Sequence, residues 1–470
     1  MNFRGISYYL GLFCFPVSIL AFINILYSSY FDYFLSINSY IITLIISLIF
    51  SLSFLFFGKS AKKRISFIEQ IILILIVYLL VAFLISLPFY FSNYQVTFIN
   101  SFFEAISGIT GTGFSIFENI KYLDPTLILW RSSSQWIGGL YFLFFLILIF
   151  SNKQFSYKMN DLTFSGDGSI NIEANIKNLL FRIFIFYSFL SLAIFLLLNL
   201  FDVRLFNSLN LSMSLVSSGG FLPTDTLRNI IKSNPQKIIF IISLLISMLN
   251  FFLIINIFKK EVVFKHHKED FYLVALAFVS IILIYFNNYH ILDIVISVLS
   301  SLSNSGLSVM SPKNNLSLYF ILMTIIGGSL ISNTSGIKLA RIYILLKTSS
   351  SEIIKLISPN SVINKNIFNS EKKITDDNIR ISFLIFISFF ISLFILSGIL
   401  IVDTIDFEQS FKLSILTITN TTTSSLYGFE KMDFASLLTS SKLSLIIFMI
   451  IGKIELISIF LIIKKIFFKN

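Results

Sequence analysis

The sequence predicts an all-α polytopic membrane protein. Two N-terminal accessory spans precede four pseudo-repeats, each a span, a short helix, a polar loop and a second span, set around one central path. Three observations carry this reading. The 470 residues are 56% hydrophobic with a mean hydropathy of +0.88, more apolar surface than a soluble core hides, so the solvent is lipid. Ten apolar stretches meet or approach the roughly 20 residues a helix needs to cross a bilayer: about 7–28, 38–57, 70–92, 127–150, 179–200, 236–258, 271–288, 317–345, 381–402 and 441–463. Four outer segments repeat one pattern, about three turns of apolar helix and then a polar run ending at or near glycine: Phe98 to Gly113, Phe206 to Gly219, Ile291 to Gly306 and Phe407 to Thr422.

Arg4 followed by a long apolar run with no A-x-A-like site after it reads as a retained first span rather than a signal peptide. Cys14 lies in that span and is the only cysteine, so neither an intrachain disulfide nor a cysteine metal site is expected. The net charge of +11 is no nucleic-acid signature, because the basic residues gather in particular loops. Lys59, Lys62, Lys63 and Arg64 follow span two; Lys153 and Lys158 follow span four; Lys259, Lys260, Lys265 and Lys268 follow span six. Lys338, Arg341, Lys347, Lys355, Lys365, Lys372 and Lys373 follow span eight, and Lys464, Lys465 and Lys469 follow span ten. A cytoplasmic N-terminus puts all of them on the cytoplasmic side, with the C-terminus, as the positive-inside rule requires. The first outer loop, Ser28–Leu35, carries Asp32 and no Lys or Arg.

The expected units are an accessory pair at 1–69 and repeats at 70–150, 179–258, 271–345 (second span broken) and 381–470 (with the C-terminal tail). Units one and four match without a gap at Phe98/Phe407, Ser101/Ser410, Phe102/Phe411, Ile106/Ile415, Ile109/Ile418, Thr110/Thr419 and Thr112/Thr421, an internal-repeat signal. Segments 151–178 and 348–378 are short and polar, too small to be domains of their own.

The four loops have the composition a dehydrated cation needs. Backbone carbonyls replace its water where the chain is extended and glycine permits the dihedrals. Thr110, Gly111, Thr112 and Gly113 form one such string; Ser217, Ser218, Gly219 and Gly220 a second; Ser303, Asn304, Ser305 and Gly306 a third. The short helices before them would aim their partly negative C-terminal ends at the path, favouring a cation. Four ordinary outer loops with amphipathic helices is the competing reading. The shared Ser/Thr/Asn/Gly ending argues against it, because irregular backbone at lipid depth is tolerated only where it lines a cavity or is buried in protein.

These loops, with Trp130-Arg-Ser-Ser-Ser-Gln-Trp-Ile-Gly-Gly139, Gly327-Gly-Ser-Leu-Ile-Ser-Asn-Thr-Ser-Gly-Ile-Lys338 and Gly452-Lys-Ile-Glu455, resemble the Trk/Ktr/HKT superfamily of potassium transporters, most of all its TrkH-type bacterial members. The resemblance covers essentially the whole chain. It implies four repeats of span, pore helix, filter loop and span around one pore in a bacterial cytoplasmic membrane. It also implies K⁺ as the transported ion, no bound cofactor, filter glycines at Gly113, Gly219 and Gly306, a homodimer, and a TrkA-like cytoplasmic nucleotide-binding regulatory partner. In the fourth loop the ligands would come from Asn420, Thr421 and Thr422.

Span eight is interrupted. Only about ten apolar residues precede Gly327, and Gly328, Ser329, Ser332, Asn333, Thr334, Ser335 and Gly336 follow, so a helix there should unwind. By resemblance this is an intramembrane gate; a small-residue packing face is the alternative. Lys453 lies too deep in the last span to snorkel, and a charge there costs at least ~2.5 kcal/mol unless it meets a watery cavity or a counter-ion. The resemblance makes it a pore-facing cation below the filter that restrains flux; a structural ion pair is the other reading. Glu455, two residues on, points elsewhere. Arg131, with Trp130 and Trp136, reads as a structural or interfacial charge in an aromatic belt.

Thr422 stands where alignment with unit one expects glycine. In a left-handed conformation a β-branched residue would cost about 1–3 kcal/mol. Either this quarter has another backbone, with a side-chain oxygen as substitute ligand, or Gly428 serves after a longer pore helix. This departure opens sodium permeation or weak K⁺/Na⁺ discrimination. A secondary transporter of a small organic solute would instead show an intramembrane carboxylate or a broken-helix pair, and the spans are poor in Asp and Glu. A membrane enzyme would need clustered His, Asp or Glu; His266 and His267 read as part of a basic loop and His290 is alone. No P-loop is present. The chain is therefore not expected to be an enzyme.

Overall fold

The computed structural model describes residues 2–33, 37–59, 65–150, 176–258, 267–312, 314–361, 364–369, 373–429 and 432–454. Segment 151–175, Glu455 and basic residues Lys62, Lys63, Arg64, Lys153, Lys158, Lys259, Lys260, Lys265, Lys372, Lys464, Lys465 and Lys469 lie outside these, as does His266. The described chain is helical: α1 (Phe3–Tyr30), α2 (Ile37–Gly58), α3 (Phe67–Tyr90), α4 (Phe98–Thr110), α5 (Pro125–Phe150), α6 (Ile176–Leu200), α7 (Leu205–Val216), α8 (Asn234–Met248), α9 (Phe251–Phe258), α10 (Lys268–Tyr285), α11 (Ile291–Leu302), α12 (Asn314–Ile326), α13 (Leu339–Ile357), α14 (Asp376–Val402), α15 (Phe407–Ile418) and α16 (Thr439–Ile454).

Local sequence sets the helix starts. Ser66 and Glu69 form a capping box on α3, and Ser233 with Gln236 does the same on α8, where Pro235 occupies the first turn. Thr97 accepts from the Asn100 amide at the start of α4, and Thr375 from the Asn378 amide at the start of α14. On length and composition, α1, α2, α3, residues 178–200 of α6 and α14 can each cross a membrane. Within the apolar window of α3, 67% of residues are buried, against 22% for α2 and 28% for α6, so α3 is central and the other two present apolar faces to lipid.

Four short helices, α4, α7, α11 and α15, each follow a longer one (α3, α6, α10, α14) and precede another. The connections at 91–97, 201–204, 286–290 and 403–406 lead into them and form the upper rim. At that rim Lys412 donates to Glu408, holding its carboxyl below the usual glutamate range, and Ser440 and Ser441 do the same for Asp403.

Two expected spans differ in shape. The stretch read as one span over 236–258 is bent by 112° between α8 and α9. Asn250 makes the bend: its side chain accepts from the Phe252 amide and caps a new helix. In the eighth stretch the helix ends at Ile326, and α13 then runs on through Ile357, into the region read as a polar segment. Lys338 and Arg341, counted above as loop charges, are both 2% exposed. His267 is also buried, just before α10.

Candidate functional site

The C-terminal ends of α4, α7, α11 and α15 turn identically. In each, one residue takes a left-handed conformation: Gly111 (φ 79°), Ser218 (φ 56°), Asn304 (φ 58°) and Asn420 (φ 49°). Its amide bonds to a carbonyl three residues back, of Gly108, Leu215, Ser301 and Thr417. This sets the register across repeats. Thr112, Gly219, Ser305 and Thr421 come next, followed by Gly113, Gly220, Gly306 and Thr422. The residue level with Gly113 and Gly306 is thus Gly220, not Gly219 as the resemblance implied. The Gly219 face is covered by Gln135 of α5, whose Oε1 accepts from the Phe221 amide.

Gly113, Gly220, Gly306 and Thr422 meet. A Cβ on Gly113 would sit 2.7 Å from the Gly220 Cα and 3.0 Å from the Thr422 Cβ; one on Gly306 would sit 2.7 Å from the Thr422 carbonyl oxygen. Gly113 (φ 82°) and Gly306 (φ 68°) are left-handed, which is why a side chain is excluded at both. Thr422 is not left-handed, so the strain expected of a β-branched residue does not arise and this quarter has a different backbone. Its hydroxyl instead donates to the Gly113 carbonyl at 2.9 Å. Gly428 lies apart, against Lys412 and Ser317.

Side chains stitch the loops together. Asn304 donates to Thr421 Oγ1 (3.1 Å) and Asn420 to Thr112 Oγ1 (3.0 Å), the same link made from repeat three to four and from four to one. Thr110 and Thr112 share a hydroxyl contact of 2.8 Å. Ser107 and Ser214, at equivalent positions in the short helices, donate to the Phe114 and Phe221 carbonyls.

Glycines bring the flanking helices close. A Cβ on Gly138 of α5 would overlap the Ile109 carbonyl, and one on Gly452 of α16 the Ile418 carbonyl, which is the matching contact in unit four. Lys453 therefore takes the place that Gly139 has in unit one. It is 2% exposed. Its Nζ donates to the Asn333 carbonyl at 2.9 Å and lies 4.5 Å from the centre of the Phe142 ring. A Cβ on Gly111 would be 3.8 Å from it. Among the described residues no carboxylate pairs with Lys453, which disfavours the structural ion pair.

The break in repeat three lies below the loops and its ends rejoin. The Ile337 and Lys338 amides bond back to the Ile325 and Ile326 carbonyls, so residues 327–336 form an excursion between left-handed Gly327 and Gly336. Its tip touches repeats two and four: Asn333 donates to the Val216 carbonyl at the end of α7, Ser335 to Asn420 Oδ1, and the Asn333 carbonyl accepts from Lys453. The Gly328 amide bonds to Thr334 Oγ1, and Ser332 and Thr334 contact each other and the Lys338 ammonium. Ser329 reaches the repeat-two bend through its amide. This polar tip does more than a small-residue packing face does.

Sequence reasoning missed the support behind the first loop. Arg131 is no interfacial charge: it is 1% exposed, with Nε 2.7 Å from Glu104 Oε1, Nη2 3.0 Å from Ser115 Oγ and its guanidinium 4.1 Å from the Phe221 ring centre. Glu104 Oε2 accepts from the Ile116 amide. Trp130 is buried too, donating to the Ile85 carbonyl rather than standing in an aromatic belt.

No protein-family model matches the chain. Its fold matches the crystal structure of the potassium transporter TrkH from Vibrio parahaemolyticus, with a TM-score of 0.86 over 100% of both chains at 20% identity. An uncharacterized cation transporter of Methanocaldococcus jannaschii is 24% identical over 92% of this chain and 90% of its own length. The Trk system potassium uptake protein TrkG of Escherichia coli is 24% identical over 86% of each chain. Over most of its length the chain is thus similar to Trk-type potassium transporters. The all-α Trk fold with its repeats is the one expected from the sequence. Trk-type transporters are membrane proteins and not enzymes, in line with the apolar spans seen here.

Proposed function

We propose that this chain is the translocating subunit of a K⁺ uptake system. In this reading K⁺ crosses a bacterial cytoplasmic membrane through a filter built from the four loops. The observation that carries it is the meeting of Gly113, Gly220, Gly306 and Thr422 at the convergent C-terminal ends of four short helices. Carbonyls presented there replace the ion's hydration shell, and the helix ends favour positive charge. Thr110, Gly111, Thr112, Ser217, Ser218, Gly219, Asn304, Ser305, Asn420 and Thr421 complete the loops. The excursion from Gly327 to Gly336 acts as a gate beneath them, and the Lys453 ammonium bound to its tip restrains cation flux. The chain works as a homodimer with a TrkA-like nucleotide-binding partner on the cytoplasmic side, where both termini lie, and itself binds no cofactor; relatives are named as parts of a Trk system.

A second reading, sodium permeation, is favoured by one observation. The Thr422 hydroxyl engages the Gly113 carbonyl and so withdraws one ligand from the ring. Flux of K⁺ and Na⁺ into proteoliposomes of the purified protein, with the regulatory partner supplied, separates the readings. K⁺ preferred over Na⁺ supports K⁺ uptake, equal fluxes keep the pore and remove the selectivity, and no cation flux rejects the transporter reading.

A further inference from the structure

Two inner helices are broken, α8–α9 in repeat two and α12–α13 in repeat three, and the breaks are joined. The Ser329 amide donates to the Met248 carbonyl at 2.9 Å, and the Phe251 amide to the Ile331 carbonyl at 2.8 Å. These are reciprocal backbone bonds between the bend and the excursion. Backbone freed at a helix break inside a membrane protein must find such partners.

One adjacent pair of carboxylates serves both breaks. Asp270 Oδ1 accepts from the Asn250 amide at 2.9 Å, at the apex of the repeat-two bend. Glu269 Oε1 accepts from the Ala340 amide at 3.3 Å, in the first turn of α13, and its carboxylate faces the Leu330 amide within the excursion. Glu269 is 8% exposed and Asp270 3%. The Asp side is braced in turn: His267 Nδ1 lies 3.5 Å from Asp270 Oδ2, and His267 Nε2 is 3.1 Å from Asn256 Nδ2 on α9. Burial and the neighbouring Asp270 push the Glu269 carboxyl up to about 8, so what both side chains supply at the breaks is acceptor oxygens for buried backbone amides, which are costly to leave unpaired.

We infer that Glu269 and Asp270 are positioning residues that clamp the two breaks into one unit and hold the excursion in the shut position. The inference rests on the reading of the excursion as a gate. Neither carboxylate touches the four loops in any contact described above. Their effect on transport therefore runs through the breaks, and loosening either side frees both.

The test uses Glu269→Gln and Asp270→Asn, which keep shape but turn one of the two acceptor oxygens into an NH2 donor, beside Asn333→Ala, which cuts the excursion tip from Val216 without touching the clamp. Passive Rb⁺ flux into proteoliposomes without any partner should rise in both amide variants, by on the order of ten-fold, the factor that about 1.4 kcal/mol of shut-state preference represents. Backbone hydrogen exchange supplies a readout that a local structural role would not move. Asp270→Asn should speed exchange in 327–338 as well as 248–252, and Glu269→Gln the same two segments. Raised flux in Asn333→Ala with unchanged flux in both amide variants overturns the clamp and leaves the gate. Exchange faster only in the segment each carboxylate touches also overturns the clamp. Flux unchanged in all three variants overturns the gate reading itself. Variants that fail to fold are replaced by Asn250→Ala, which weakens the bend alone and must still speed exchange in 327–338.

Discussion

Replacing Arg131 by Met breaks the buried pair behind the first loop. Arg131 and Glu104 have side-chain exposures of 1% and 0%. Met fills much of the volume but leaves the Glu104 carboxylate with only the Ile116 amide and the Ser115 hydroxyl as donors. An uncompensated buried charge costs about 3–5 kcal/mol, a large part of the roughly 5–15 kcal/mol that separates folded from unfolded protein. The lost guanidinium contact with the Phe221 ring adds about 0.5–2 kcal/mol. Thermal unfolding of the detergent-solubilised protein should show a midpoint several degrees lower. K⁺/Na⁺ preference should fall as well, because Ser115 and Ile116 directly follow Gly113 and Phe114. The double variant Glu104→Gln with Arg131→Met leaves no unpaired charge and should recover a clear part of the loss. An unchanged midpoint in Arg131→Met, or a double variant no better than the single, would refute this account of the pair.

Thr422→Gly removes the hydroxyl that engages the Gly113 carbonyl, an interaction of about 1 kcal/mol, and should raise the K⁺/Na⁺ flux ratio by about five-fold; a lower ratio would make Thr422 a ligand in its own right. Lys453→Met removes a unit charge beneath the loops. At an effective dielectric of about 20 and a separation of about 10 Å a full charge raises a passing cation's energy by at most about 1.7 kcal/mol, so initial K⁺ uptake should rise, by up to about ten-fold. Gly452→Ala puts a methyl group into the Ile418 carbonyl and should destabilise the protein by about 1–3 kcal/mol, seen as earlier thermal unfolding.

The spans and the four loops were legible because they rest on periodic, local signals. Apolar runs give the spans, and the gapless match of units one and four gives their shared loop register. Unit two misled by one residue, since two adjacent glycines fit the motif equally well and only packing against Thr422 separates Gly220 from Gly219. The bend at Asn250 was hidden because the apolar run continues through it, and one asparagine in such a run is tolerated by a straight helix. Ser218 and Asn304 gave no warning of left-handed backbone, which arises from how each short helix ends. Lys338 and Arg341 read as loop charges, and Arg131 as either structural or interfacial, because the packing that buries them, with Glu104 against Arg131, is tertiary. Lys453 was legible as unusual from depth, but its contact with Asn333 depends on the folded excursion.

The central claim is that cations are held where the four loops meet. Crystals of the protein grown in Rb⁺ and measured at the rubidium absorption edge test it most directly. The account predicts anomalous density on the axis between Gly113, Gly220, Gly306 and Thr422, above the excursion tip at Asn333, and loss of that density in Gly113→Ser. Ordered rubidium elsewhere in the membrane region, with none between the four loops, would contradict it.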